Sequence, residues 1–236
     1  MMVAAVGFDF FGTLVEAEAE GNHCITKVFQ TLHQHEITPC LEAFQKTYRD
    51  VASAHRRMRH TSHREVSNCI VLAETLRRLG YDLAQTSQPI VEAVDAYFSP
   101  WVLTVYDDVW RVLKRLRSTY RLGVISNFTY THFLRRSLRR LELDQYFERV
   151  LVSDEMGWRK PHPFMFHTFL QLMGVKAGDV LFVGDDYHQD IVGAKEAGMK
   201  VAWVRRGSSQ RDVEAVSSVQ PDFIIHSLNE LETVLT

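Results

Sequence analysis

Three carboxylates stand close together behind an apolar segment of the chain. Asp185, Asp186 and Asp190 follow the run at 180–183, within six residues of one another. Carboxylates at that density repel one another unless a cation or a lysine neutralises them, and hard oxygen ligands suit Mg²⁺. Acidic residues are also favoured in the first turn of a helix, where the helix dipole stabilises negative charge. The spacing therefore indicates either a magnesium site or an acidic helix start.

A fourth carboxylate has a similar setting near the start of the chain. Asp9 stands at the end of the apolar run 3–10, and Gly12 follows it at the next turn. If that run is a buried parallel strand, Asp9 lies at the carboxyl edge of the sheet, where open α/β sheets bind their ligands. A strand-ending Asp can also cap the following turn. Asp9 alone does not decide between these two roles.

Two further segments could complete such a site. Ser126 and Asn127 end the apolar run 122–126 and would bring a hydroxyl and an amide to the same edge. Lys160 lies between a turn and a helix that starts with proline, so its ammonium could supply a fixed positive charge. A polar strand end and a solvated lysine are the alternatives. These residues predict chemistry only together with the carboxylates.

Short apolar runs separated by helical segments position these residues. The runs are continuous rather than alternating, as in strands buried on both faces, and they lie at 3–10, 122–126, 150–152, 180–183, 201–204 and 223–225. Helix start and stop residues predict helices at 131–141, 163–173, 189–197 and 228–235. Strands that alternate with helices predict an α/β fold with a mostly parallel, doubly wound sheet.

Residues 16–100 break this alternation. No convincing strand occurs there, and apolar residues keep helical spacing in two stretches, at Ile25, Phe29 and Leu32 and again at Cys69, Leu72, Leu76 and Leu79. Stop signals at 38–39, 80 and 88–89 divide the segment into about four helices. We therefore predict a core of residues 1–15 and 101–236, with the sheet resuming near Trp101, and a helical bundle of residues 16–100 inserted into it.

Composition limits the classes of partner. The 236 residues include 27 basic and 29 acidic side chains, for a net charge of −2, and 46% are hydrophobic. The chain lacks the basic excess that is typical of nucleic-acid-binding proteins. No apolar run approaches the roughly 20 residues that cross a bilayer. The three cysteines lack C-x-x-C spacing, and no basic residue precedes the N-terminal apolar run. We expect a soluble, cytoplasmic protein with no nucleic-acid or membrane partner.

Taken together and in this order, the motifs resemble those of the haloacid dehalogenase (HAD) superfamily of hydrolases. The matching segments are Asp9-Phe10-Phe11-Gly12-Thr13, Ser126-Asn127, Lys160-Pro161, Gly184-Asp185-Asp186 and the closing Gly193-Ala194 and Ala197-Gly198-Met199. The position of the insertion is that of the branch with a helical cap between the first and second motifs (C1, subfamily I). The resemblance covers essentially the whole chain and implies a Rossmann-like core with a helical-bundle cap.

The resemblance also implies roles for individual residues. By similarity, Asp9 is a nucleophile that forms an aspartyl-phosphate, Ser126 binds a phosphoryl oxygen and Lys160 neutralises both partners. Substrate contacts would come from Gly12, Thr13 and Asn127. The metal ligands would be Asp9 and Asp185 with the main-chain carbonyl of Phe11, supported by Asp186 and Asp190. The implied cofactor is Mg²⁺, and the implied substrate is a small phosphorylated metabolite.

Phe11 departs from the family pattern. Phosphatases of this superfamily normally carry there a second Asp, which protonates the leaving alcohol and then activates water. The departure leaves three classes open. The first is a Mg²⁺-dependent phosphohydrolase in which a cap residue such as His23, or a group of the substrate, acts as the acid. The others are a 2-haloacid dehalogenase or other metal-independent hydrolase, and a binding or regulatory protein without catalysis. Phosphonoacetaldehyde hydrolases, which need a cap lysine, are disfavoured because residues 16–100 offer only Lys27 and Lys46.

The segment 51–64 is a candidate for substrate recognition. It contains no acid, four arginines (Arg56, Arg57, Arg59 and Arg64) and three histidines. Such a segment could bind an anionic tail of the substrate. A solvated helix face, or one paired with acids elsewhere, is the alternative.

Overall fold

In the computed structural model, which describes residues 3–19, 21–82, 87–206 and 219–235, six strands form one parallel sheet. Their order across the sheet is β5-β4-β1-β6-β7-β8, and their bounds are β1 Ala5–Phe8, β4 Arg121–Ser126, β5 Arg149–Val152, β6 Val180–Gly184, β7 Lys200–Val204 and β8 Phe223–Ile225. The chain runs outward from β1 to β5 and then returns to β6 on the other side of β1. The order therefore reverses between β1 and β6, whose carboxyl ends flank a ligand-binding crevice in sheets of this type.

Helices cover both faces of this sheet. They are α5 Val109–Leu116, α6 Thr131–Arg140, α7 Ser153–Met156, α8 Pro163–Met173, α9 Gly193–Glu196 and α10 Leu231–Val234. Val6 and Phe8 of β1 pack in the hydrophobic layer that includes α5 and α6, whereas Ala5 faces the layer formed largely by α8. Gly123 of β4 leaves room for the ring of Phe169, because a Cβ there would lie 2.5 Å from it. The sheet is buried on both faces, as its continuous apolar runs predict.

Four helices lie between residues 18 and 102 in the described part of the chain. They are α1 Gly21–Gln34, α2 Leu41–Ser62, α3 Asn68–Arg78 and α4 Ser87–Tyr97. α1 packs against α4 and α2 against α3. β2 (Val15–Glu18) and β3 (Val102–Val105) pair antiparallel and form a separate two-stranded sheet at the base of the helices.

The fold class predicted from the sequence is confirmed, and several elements differ from their predicted form. The prediction of no strand within 16–100 was wrong at its start, because β2 begins at Val15; three of its four residues are exposed, so it lacks an apolar run. The sheet that begins near Trp101 is the small one rather than the main one. The predicted helix 189–197 is a π-helical turn, Tyr187–Val192, followed by α9, and 228–235 begins with a 3₁₀ turn, Leu228–Glu230.

The predicted units, 1–15 with 101–236 and 16–100, include residues 1–2, 20, 83–86, 207–218 and 236, which lie outside the described residues. Among the helices that the structure does describe, none combines the length and the apolar composition needed to cross a bilayer.

Candidate active site

A buried lysine links the segments that follow two central strands, β1 and β6. Asp9 follows β1, and its backbone N–H donates to the carbonyl of Val183 in β6 (2.9 Å). The Nζ of Lys160 donates to Oδ1 of Asp9 (2.5 Å) and lies 2.6 Å from Oδ1 of Asp190. The side chains of Lys160 and Asp190 are each 1% exposed. One ammonium therefore separates two carboxylates that the sequence places about 180 residues apart.

Asn127 fixes the backbone that carries this lysine. Its Oδ1 accepts from the N–H of Lys160 (2.7 Å), and its Nδ2 donates to the carbonyl of the same residue (2.9 Å). The same Nδ2 also donates to Oε1 of Gln189 (2.6 Å). The amide at the end of β4 thus ties the loop before α8 to the loop after β6.

Gly12 allows Asp185 to approach the first loop. Gly12 has φ +85°, and a Cβ there would collide with the Asp185 carboxylate. The hydroxyl of Thr13 donates to Oδ1 of Asp185 (3.3 Å), and Nε1 of Trp203 donates to its main-chain carbonyl (2.9 Å). Asp185 is therefore held against the turn that follows Asp9.

The loop after β6 organises the remaining acids. The N–H of Asp186 donates to Oδ2 of Asp190 (3.1 Å), and Gln189 donates to both Asp186 oxygens, from its backbone N–H (2.8 Å) and its Nε2 (2.5 Å). A Cβ on Gly184 would collide with Asp190. The side chain of Asp186 thus caps the π-helical turn, and the side chain of Asp190 accepts from the N–H of that cap residue.

The carboxylates are crowded and incompletely neutralised. Oxygens of Asp9, Asp185 and Asp190 lie within 4.8 Å of one another. Burial raises the pKa of Asp185 to about 7, and the charges of Asp190 and Asp186 add to this shift against the opposing effect of Lys160. Burial also raises the pKa of Asp9 and of Asp190 above the usual range, against the lowering effect of Lys160. Although burial by itself would lower the pKa of Lys160, Asp190 and Asp9 raise it above its ordinary value.

A cavity of about 230 Å³ opens onto this cluster. Its wall includes seven of the site residues predicted from the sequence: Asp9, Phe11, Asn127, Lys160, Asp185, Asp186 and Asp190. The ring of Phe11 stacks on Phe128, with centroids 4.8 Å apart. Gly12 and Thr13, also predicted, contact Asp185 and do not line the cavity. The hydroxyl of Ser126, at the end of β4, is buried and makes no hydrogen bond within the described residues.

Arg159 and Gln189 also line the cavity, although the sequence analysis did not single them out. Each lies beside a motif residue, Arg159 before Lys160 and Gln189 before Asp190, and this adjacency was the available signal. The segment after α2 meets the loop that carries Arg159. The N–H of Arg159 donates to the carbonyl of His63 (3.0 Å), and the N–H of Glu65 donates to that of Gly157 (3.0 Å).

Comparison with known proteins identifies similar sequences. A family model described as "Hydrolase: haloacid dehalogenase-like hydrolase" matches residues 3–198. The glyceraldehyde 3-phosphate phosphatase of Pyrococcus abyssi is 44% identical over 98 residues, which are 41% of this chain and 41% of that protein. The protein of the same name from Pyrococcus furiosus is 35% identical over 164 residues, 68% of this chain and 66% of the relative. The chain thus spans less than two thirds of either relative.

A solved structure is similar over nearly its whole length. It is the 2-haloacid dehalogenase from Pseudomonas syringae pv. Tomato DC3000, with a TM-score of 0.76 and 26% identity, and the alignment covers 99% of this chain and 98% of that one. The relatives therefore include both phosphatases and a dehalogenase.

We expect Lys160→Met to destabilise the protein in a pH-dependent way. The change leaves the buried carboxylates of Asp9 and Asp190 without their cation, at a cost of about 3–5 kcal/mol in the free energy of unfolding. Carboxyls whose pKa is raised in the folded protein bind more protons there than in the unfolded chain, so the variant regains stability as the pH falls from about 8 to about 5.

Urea unfolding in EDTA at both pH values measures this effect. Lys176→Met is the matched control, because Lys176 is exposed. A loss of stability in Lys160→Met that is independent of pH, or no larger than that of the control, would contradict the conclusion that Lys160 neutralises Asp9 and Asp190.

Proposed function

This chain belongs to the haloacid dehalogenase-like hydrolases, and we propose that it hydrolyses small phosphorylated metabolites through an aspartyl-phosphate on Asp9. The observation that carries the proposal is the buried carboxylate of Asp9, hydrogen-bonded to Lys160 and adjacent to Asp185 at the reversal point of the sheet. In this proposal residues 1–15 and 101–236 form the catalytic core, and residues 16–100 form its cap.

The reaction consists of two displacements at phosphorus. A carboxylate oxygen of Asp9 bonds to phosphorus while the ester P–O bond breaks, and the leaving alkoxide takes a proton from solvent or a nearby group. Water then attacks phosphorus, inorganic phosphate leaves, and the Asp9 carboxylate is regenerated with release of a proton. Phosphoryl transfer needs alignment and charge neutralisation more than further covalent steps.

The residues at the site fit Mg²⁺. Three carboxylates share one lysine, which leaves surplus negative charge, and their oxygens are close enough to share an ion. We propose that Asp9, Asp185 and the carbonyl of Phe11 hold the metal. Asp186 and Asp190 support it, Asp190 indirectly, because its oxygens already contact Lys160 and the N–H of Asp186. Bound there, Mg²⁺ would neutralise charge on the phosphoryl group.

The other residues orient the substrate and the nucleophile. Lys160 holds Asp9 and offsets the repulsion between its carboxylate and a phosphate dianion. The unpartnered hydroxyl of Ser126 is available to bind a phosphoryl oxygen. Asn127 positions Lys160 through two hydrogen bonds, and Gly12 and Thr13 set the turn against which Asp185 lies.

A second candidate function is dehalogenation of a 2-haloacid. Phe11 favours it, because halide leaves without protonation, and so does the similarity to the Pseudomonas syringae dehalogenase. In that reaction Asp9 would displace halide from carbon, and water would hydrolyse the resulting ester. The crowding of Asp9, Asp185 and Asp190 argues for the metal-dependent phosphatase instead, because clustered carboxylates suit a metal ion, which the displacement of halide does not need.

Phosphate release under metal titration tests the proposed function. We expect hydrolysis of aryl phosphates to require Mg²⁺ and to stop in EDTA, Asp9→Asn to lower kcat by at least about 10³-fold, and Asp185→Asn to raise the Mg²⁺ concentration needed. Asp144→Asn, at an exposed position, is the control. Halide release from 2-chloropropionate without metal, and no phosphate release, would support the second candidate instead.

We expect Phe11→Asp to accelerate hydrolysis of alkyl phosphates. A positioned general acid contributes about 10²–10⁴-fold, and the wild-type protein has a nonpolar ring at this place, so it should prefer aryl or acyl phosphates. The effect is measured as the dependence of kcat/KM on the pKa of the leaving group in a series of phosphate esters. Phe11→Asn is the control, because it opens the same space without an acidic proton. A wild-type rate that is high and insensitive to leaving-group pKa would reveal another acid.

A further inference from the structure

We propose that Arg59 and Arg159 form a second anion-binding subsite beside Asp9. The preferred substrates are then phosphate esters that carry another anionic group a few bonds from the phosphoryl group. This inference rests on the proposed function, because it defines the substrate class of the same site.

A second cavity adjoins the one that contains Asp9. Its volume is about 380 Å³, within the range of pockets that hold small ligands. The two cavities share Arg159, Lys160, Asp186 and Gln189 on their walls. A group attached to a phosphoryl ester at Asp9 can therefore extend into the second cavity.

The far wall of this cavity is basic. Arg59, His60 and His63 line it from the end of α2, and His188 lines it from the core. Arg57, on the same helix, is exposed and lies outside the wall. The basic segment 51–64 is thus divided between a solvated face and a face toward the cleft.

A buried carboxylate holds the two arginines together. The side chain of Glu65 is 1% exposed, and its oxygens lie 3.5 Å from Nε of Arg59 and 3.6 Å from Nη1 of Arg159. Glu65 also accepts from the hydroxyl of Ser153 (2.6 Å) and from the N–H of Val66 (3.0 Å). One carboxylate between two guanidinium groups leaves one positive charge in excess. Glu65 is a positioning residue for both arginines.

The arginines come from two different parts of the fold. Arg59 belongs to α2, whereas Arg159 directly precedes Lys160 in the core loop. Basic residues near the end of α2 are explained by the helix dipole alone, but Arg159 lies on no such helix end. Backbone hydrogen bonds join the segments at 63–65 and 157–159, so the end of α2 is held beside the loop that carries Arg159.

Asp186 also lines both cavities and carries a negative charge, which in the proposed function is offset by the metal ion that it supports. Asp186 accepts two hydrogen bonds from Gln189, which direct its carboxylate into the loop after β6. Guanidinium groups bind carboxylate and phosphate oxygens through paired hydrogen bonds, and a prearranged pair loses little side-chain entropy on binding. The geometry therefore selects for a second anion rather than for a hydroxyl or an alkyl tail.

Three esters with the same three-carbon chain test the subsite. Propyl phosphate has no second anion, 3-phosphooxypropionate adds a carboxylate, and propane-1,3-diol bisphosphate adds a phosphate. Because each releases a primary alcohol, differences in kcat/KM report recognition. We expect both anionic esters to exceed propyl phosphate by about tenfold or more, and the larger of the two effects to identify the preferred anion.

Arginine variants locate the preference. Arg59→Gln and Arg159→Gln should raise KM for the anionic esters by about tenfold more than they raise KM for propyl phosphate. Arg57→Gln is the matched control and should change none of the three. If the Gln variants fail to fold, Arg59→Lys and Arg159→Lys keep the charge and should keep part of the preference. Equal rates for all three esters, or equal losses in every variant, would overturn the subsite.

Binding separates this inference from the proposed function. Calorimetry with 3-phosphonopropionate and propylphosphonate, which cannot be hydrolysed as esters, measures recognition without turnover. No phosphate release in Mg²⁺ from these esters or from an aryl phosphate would reject the phosphatase. Tighter binding of 3-phosphonopropionate that depends on Arg59 and Arg159 would still support the subsite, and equal binding would reject it.

Discussion

The site depends on the ion pairs that the ammonium group of Lys160 makes. This group lies between Asp9 and Asp190, and all three side chains are withdrawn from solvent. A buried charge is tolerated only when it is paired. The loops that carry these residues must therefore keep the charged groups within hydrogen-bonding distance of one another. Asn127 helps to fix the position of Lys160, because its side chain is hydrogen-bonded to both the N–H and the carbonyl of that residue.

The parallel sheet brings these distant residues together. Its order reverses between β1 and β6, so the ends of both strands meet at one crevice. Burial at this crevice raises the pKa of Asp9 and of Asp185, and neighbouring carboxylates add to the shift: Asp185 acts on Asp9, and Asp190 and Asp186 act on Asp185. Part of the folding energy is thus used to hold carboxylates in an unfavourable state, which a bound cation would relieve.

Sequence reasoning was sufficient for the architecture and for the residues at strand ends. Continuous apolar runs indicate buried strands, and Asp9 and Asp185 each follow one directly. It was insufficient for contacts between segments that are distant along the chain. Glu65 gave no local signal, because its importance comes from Ser153, Arg159 and Arg59, which only the folded chain assembles around it. β2 escaped detection for a related reason: its pairing with β3 makes it a strand, whereas its own sequence is mostly exposed and polar.

The central claim is that Asp9, paired with Lys160, is the nucleophile. The most direct measurement is an acid quench of a single turnover with an aryl phosphate in Mg²⁺, followed by borohydride reduction and peptide mass spectrometry. Reduction converts an aspartyl-phosphate to homoserine. We predict homoserine at position 9 and unmodified Asp185 and Asp190. Turnover without any modified residue, or homoserine at another aspartate, would contradict the account.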